Sequence, residues 1–197
     1  MSLYKNKYRI ESTRLPGWDY SRPGFYYITI CVYKKQCIFG EVANGVMYST
    51  IYGDIAEKLW KEQPAHYNNL ILDEFVIMPN HMHGIVQIID PPALENSKTP
   101  SRYSVSDIAN GYKTFSAKKI NLISECTGNP VWQSRFHDRI IRDEAELNRI
   151  RHYIRNNPRQ WEIDECYPGA KKPIPFKSYY GNGIKKKRIM GDNTVFP

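Results

Sequence analysis

Clustered and periodic apolar positions divide the chain into a short series of elements. The run FYYITICV, residues 25–32, is dense in aromatic and β-branched side chains and predicts a buried strand. Two shorter apolar stretches, 39–42 and 46–48, flank Asn44-Gly45 and predict a hairpin with a tight turn. Ser49 or Thr50 can cap a helix that carries Ile51, Ile55 and Leu59 on one face and stops at Pro64. Residues 70–78 and 83–89 are two more apolar runs on either side of Pro79-Asn80 and read as consecutive strands. A loop over 91–100 follows. Ser104 then opens a second amphipathic helix, with Val105, Ile108, Tyr112 and Phe115 at spacings of three and four and with Lys113, Lys118 and Lys119 on its other face. Residues 131–141 predict a further strand. Asp143 followed by Glu146 resembles a capping box for a third helix through Leu147, Ile150 and Ile154, which Pro158 ends near Asn157. No repeat of solenoid or propeller length is visible. This order predicts an α+β domain with helices packed on a largely antiparallel sheet.

Composition sharpens that picture only in part. At 197 residues, 41% hydrophobic and 24% charged, the chain can bury a core of one domain. No apolar run approaches a membrane span, and the N-terminus lacks the apolar block of a secretory signal, so a protein outside membranes is expected. Four cysteines without a CxxC pair argue against a disulfide scaffold or a thiolate zinc module, and a reducing cytoplasm is the expected location. The net charge of +8 is unevenly placed. Residues 171–197 hold seven cations against Asp192, a net +6, which leaves +2 for the first 170 residues. That excess points to a polyanionic partner or to a solvated basic tail.

The sharpest local feature is Asn80-His81-Met82-His83-Gly84. On a strand, side chains two apart share a face, so His81 and His83 converge while Met82 enters the core. Two neutral imidazoles side by side can hold a divalent metal, or they can be two independent histidines at a strand end. A third ligand is needed for a site. A histidine-triad hydrolase would place histidine where Ile85 stands, and no HExxH is present. In the third predicted helix, Tyr153 and Asn157 lie one turn apart on one face. Asn157 can offer a neutral oxygen to a metal and Tyr153 its phenol beside it. Equally, Tyr153 can be core and Asn157 a helix end.

Three segments together resemble the single-tyrosine transposases of the HUH nuclease superfamily, in particular the REP-associated tyrosine transposases. They are LPGWDYSRPGFYYITIC (15–31), LDEFVIMPNHMHGIV (72–86) and VWQSRFHDRIIRDEAELNRIRHYIRNNP (131–158). The resemblance implies a ferredoxin-like, HUH-type sheet within 25–161, preceded by an arm (1–24) and followed by the basic tail (162–197). It implies His81, His83 and Asn157 as ligands of Mg²⁺ or Mn²⁺ and Tyr153 as the nucleophile. The insertion-sequence branch typically has Gln at the position of Asn157, so Asn here fits the REP-associated branch.

The implied reaction is phosphoryl transfer on single-stranded DNA at hairpins, through a 5′-phosphotyrosine link. Arg9, Arg14, Lys113, Lys118, Lys119, Lys185, Lys186, Lys187 and Arg188 are the candidate phosphate contacts. A domesticated hairpin-binding protein without recombination, or a phosphoesterase using water in place of Tyr153, are the competing readings. The implied assembly is a monomer or a homodimer.

Overall fold

The computed structural model describes residues 3–4, 7–8, 14–91, 102–126 and 128–169. By internal contacts the chain forms two units, Met1–Trp161 and Glu162–Pro197. In the second unit the described stretch is a turn in which Asp164 accepts from the Cys166 amide at 2.7 Å.

The first unit begins with a short ladder of β1 (Leu3–Tyr4) and β2 (Lys7–Tyr8), which the hydrophobic pattern does not announce. β3 (Gly24–Cys31) follows, then the hairpin β4 (Gly40–Ala43) and β5 (Val46–Ser49), closed by Asn44 and Gly45 in the left-handed region. Thr50 caps α1 (Ile51–Lys61), its hydroxyl accepting from Gly53 N at 3.3 Å. β6 (Leu70–Met78) and β7 (His81–Ile88) form the second hairpin. Ser104 and Asp107 make a full capping box at the start of α2 (Val105–Ile123). β8 (His137–Ile141) and α3 (Glu144–Asn156) complete the unit.

The principal sheet is antiparallel, in the order β6-β7-β3-β8. It is an α+β fold with three α-helices among the described residues, as the pattern predicts. Alternation along the central strands sorts side chains to two faces. Tyr26, Ile28 and Ile30 from β3, with Met82 and Val86 from β7, meet Trp60 of α1 and Tyr112 of α2 in the main core. Gly84 lies on this face too: a Cβ there would come within 2.8 Å of the Trp60 ring, so the indole can rest on the strand only because residue 84 has no side chain. The opposite face carries Tyr27, Thr29, His81 and His83, and α3 packs there against β6 and β7.

Three expectations are corrected. The predicted strand over 131–141 is regular only from His137; its first part is held by an isolated bridge between Val32 and Trp132 and by turn hydrogen bonds. Phe115 is not on the buried stripe of α2, which runs instead through Tyr112, Ser116 and Ile120; Phe115 is exposed and stacks on His66. The capping box of α3 is half formed. Asp143 accepts from Glu146 N at 2.7 Å, but the Glu146 carboxylate reaches the amide of Arg142, one residue further out, at 3.0 Å.

Candidate active site

The register of β3 on β7 sets Cys31 beside His81 and Thr29 beside His83. Both imidazoles are buried and face α3, with ring centroids 4.5 Å apart. Each can offer a nitrogen within 4.8 Å of the other's. Burial first, and then the neighbouring His81, push the His83 pKa well below the ordinary 6.5, so its ring is neutral near pH 7.

The remote nitrogen of each ring is held by its own partner. Asn80, fully buried in the turn between β6 and β7, donates from Nδ2 to the Lys35 carbonyl at 3.1 Å. A carbonyl only accepts, so this contact fixes which end of the amide is which, and Oδ1 faces His81 Nδ1 at 2.9 Å. Nδ1 therefore carries the proton and Nε2 the lone pair. That Nε2 is buried and has no hydrogen-bond partner. On His83, Nδ1 lies 2.5 Å from the Tyr27 hydroxyl and 2.8 Å from Thr29 Oγ1. Each hydroxyl can accept from this nitrogen or donate to it, so the pair orients the ring in either tautomer, and with the proton on Nδ1 the Nε2 atom is left as an acceptor.

Tyr153 closes the site from α3. Its hydroxyl is 3.3 Å from His83 Nε2, with the two rings 5.3 Å apart. Asn157 is buried at the C-terminal end of α3, one turn beyond Tyr153, and the Trp161 ring lies 5.9 Å from His81. The three segments of sequence are thus brought together around two imidazoles and a phenol.

What holds α3 in this position is a bulge in the edge strand. Between Leu72 and Phe75, β6 has one residue more than its partner β7. The extra residue lets both Asp73 and Glu74 reach α3. Arg151 Nε and Nη2 donate to the two oxygens of Asp73 at 2.9 and 2.6 Å. Arg155 grips Glu74 through Nε at 2.9 Å and through Nη2. The Arg151 guanidinium holds the Asp73 carboxyl below its usual pKa. At the other end of α3, Arg139 of β8 pairs with Glu146 at 2.6 Å. Tyr153 lies between the two arginines that are clamped to β6.

The candidate phosphate contacts fall elsewhere. Arg14 pairs with buried Asp138 at 2.6 Å. Lys113 is half-buried, which lowers its pKa, and its ammonium donates to the Ser134 carbonyl at 2.9 Å. Lys118 and Lys119 are exposed on α2, which packs on the face of the sheet away from the histidines. Arg9, Lys185, Lys186, Lys187 and Arg188 lie outside the described residues. Sequence reasoning missed Tyr27, Thr29, Asn80 and Trp161 as neighbours of the histidines. Only Asn80, adjacent to His81 in the chain, carried a local signal.

None of the four cysteines is in a disulfide, and no helix among the described residues is long and apolar enough to cross a membrane. The family model described as "Transposase IS200 like" matches residues 25–157. An uncharacterized protein of Haemophilus influenzae is 36% identical over 169 residues, which are 80% of this chain and 92% of that protein. The solved structure of a REP-associated tyrosine transposase bound to a REP hairpin aligns with a TM-score of 0.47 at 14% identity, covering 96% of this chain and 99% of that one.

Proposed function

This chain belongs to the IS200-like transposase family, and from that premise we propose that it nicks and rejoins single-stranded DNA at hairpin sequences through a covalent 5′-phosphotyrosine intermediate. The observation that carries the reading is the Tyr153 hydroxyl at 3.3 Å from His83 Nε2, with the His81 ring 4.5 Å from that of His83.

The residues present fit a divalent cation: His81 Nε2 is a buried nitrogen without a hydrogen-bond partner, His83 is neutral, and Asn157, one turn beyond Tyr153, is a buried uncharged amide. His81, His83 and Asn157 would hold Mg²⁺ or Mn²⁺. Bound there with no charge on its protein ligands, such an ion would draw charge from the non-bridging oxygens of the scissile phosphate.

Tyr153 is the proposed nucleophile. Its phenol gives its proton to solvent, its oxygen bonds to phosphorus, and the P–O3′ bond breaks, the leaving oxygen taking a proton from solvent to become the free 3′-hydroxyl. A phenol of ordinary pKa near 10 is a poor nucleophile at pH 7, so the phenolate needs positive charge beside it, which a cation held by His81 and by the neutral His83, whose Nε2 lies 3.3 Å from the hydroxyl, would supply. The ester stores the energy of the broken phosphodiester, so the 3′-hydroxyl of another strand can reverse the step without a nucleotide cofactor. The arginine clamps on α3 fix the direction from which the phenol approaches.

The test is incubation of the protein with end-labelled hairpin DNA carrying a single-stranded flank, with Mn²⁺, followed by denaturing electrophoresis. A labelled adduct that is absent in Tyr153→Phe is expected. Binding with no adduct would favour a hairpin-binding protein that has lost chemistry. Cleavage surviving in Tyr153→Phe would favour a phosphoesterase using water.

A further inference from the structure

β3 ends at Cys31, beside His81, and the chain then turns through Tyr33–Lys35 in a conformation its residues do not favour. Lys34 and Lys35 have φ of 55° and 54°. Two other non-glycine residues among those described have positive φ: Asn44 in the β4–β5 turn and Glu125 just past the end of α2. Hairpin turns and helix ends use that conformation routinely. Lys34 and Lys35 are likewise the central pair of a tight turn, in which Gln36 N donates to Tyr33 O at 3.3 Å, but they are lysines where such turns favour glycine or asparagine, and their Cβ atoms crowd the following carbonyls.

The surroundings hold the strain in place. Tyr33 N donates to Val131 O at 2.8 Å and Lys35 N to Val32 O at 2.9 Å. Asn80 Nδ2 donates to Lys35 O at 3.1 Å. Asn80 is the residue whose Oδ1 accepts from His81, so one buried amide joins the turn to the imidazole of the site. Strained backbone that is held this firmly belongs at a functional position more often than elsewhere. What the turn presents is an exposed tyrosine ring and two exposed lysines, with Lys34 Nζ 5.4 Å from the centre of the Tyr33 ring. Aromatic faces interleaved with cations are the chemistry that holds single-stranded nucleic acid: bases stack, and ammonium groups meet phosphates.

We propose that the Tyr33–Lys35 turn is a subsite for single-stranded DNA, in which Lys34 and Lys35 contact backbone phosphates near the scissile one and Tyr33 stacks a base. The proposal rests on the nicking reading above and adds to it where the strand is gripped. It also replaces Lys113, Lys118 and Lys119 as phosphate contacts, since α2 lies on the other face of the sheet.

The test uses Lys34→Gly/Lys35→Gly in the full chain. Glycine adopts positive φ freely, so the turn keeps its path and Tm holds or rises, while both ammonium groups are gone. Should the double glycine fail to fold, Lys34→Asn/Lys35→Asn makes the same charge change with a residue that tolerates this backbone. Binding of a labelled single-stranded oligonucleotide is measured across a salt series without metal. The expected result is weaker binding and a log–log salt dependence shallower by about 1.4, for two phosphates at about 0.7 each. Tyr33→Ala is expected to weaken binding with the slope unchanged. A double variant with the affinity and slope of the native chain overturns the proposal. Adduct formation by the native chain is scored in parallel. A native chain that forms the adduct while the double variant binds unchanged loses only the subsite. A native chain that binds without forming the adduct loses the nicking reading, and the slope still decides the subsite. A native chain that binds no single strand loses both.

Discussion

Asn80→Ala removes, in one substitution, the acceptor that holds the His81 Nδ1 proton at 2.9 Å and the donor that meets the Lys35 carbonyl at 3.1 Å. Without the acceptor, His81 can move its proton to Nε2, the atom that must be bare to bind a cation. One hydrogen bond contributes about 0.5–1.5 kcal/mol net, so the tautomer ratio should change by roughly 2- to 10-fold. The ring also loses its orientation, and the combined effect of removing such a partner is a loss of about 10- to 100-fold in metal affinity. The second lost bond lowers stability. Together the two should cost about 1–3 kcal/mol, at about 2–4 °C of Tm for each kcal/mol in a domain of this size. Mn²⁺ titration followed by electron paramagnetic resonance measures the affinity, and ¹⁵N-edited imidazole spectra of the metal-free protein report the tautomer. Asn80→Asp separates the two effects. Its carboxylate still accepts from His81 but cannot donate to Lys35, so it should keep the tautomer and lose thermal stability. An alanine variant that binds Mn²⁺ as tightly as the native chain, with the His81 proton still on Nδ1, would refute the reasoning.

Tyr153→Phe should abolish the covalent adduct and leave Mn²⁺ affinity within a few-fold, with stability changed by no more than about 1 kcal/mol, because the lost contact to His83 is long; urea melts and gel assays check both. Gly84→Ala should destabilise the fold by about 1–3 kcal/mol through the 2.8 Å approach of its Cβ to Trp60, and a full-stability variant in thermal melts would mean that the indole can retreat. Asp73→Asn should loosen α3 and slow adduct formation. The Arg151 guanidinium holds the folded-state pKa of Asp73 below its ordinary 3.8, so its contribution to stability is present above that value and is lost as pH falls through the folded value. Native and variant urea midpoints should therefore differ at pH 7 and converge under strongly acid conditions. His83 acts in the same direction at milder pH. It stays neutral when folded and protonates near 6.5 when unfolded, so stability should fall as pH drops below about 6.5, and His83→Gln should flatten that decline in pH-dependent melts.

The elements were legible where their signals are local. Thr50, Ser104 and Asp143 all cap the helices they precede, and the hairpins sit where their turn residues place them. The pairing of the two histidines on one strand face followed from the period of a strand alone. Bringing Tyr153 to them did not; it rested on resemblance, because nothing in a helix pattern says which side of a sheet it covers. The same gap hid the fact that α2 and α3 lie on opposite faces, which separates Lys118 and Lys119 from the histidines. Tyr27 and Thr29 were invisible for a related reason. They reach His83 through the register of β3 on β7, a relation between segments more than fifty residues apart. The overlong strand at 131–141 came from counting apolar residues that turned out to bridge to Val32 rather than to run along β3.

The irregularity in β6 gives the edge of the sheet an unusual responsibility. Border strands are commonly where a fold tolerates insertions and deletions, yet here the spare residue between Leu72 and Phe75 works as a spacer that indexes the tyrosine helix. Removing one residue from that stretch would restore an unbroken ladder and could even be neutral for folding. It would also swing one of the two carboxylates to the far side and leave a single arginine to steer the phenol, so the molecule could be well made and still out of alignment.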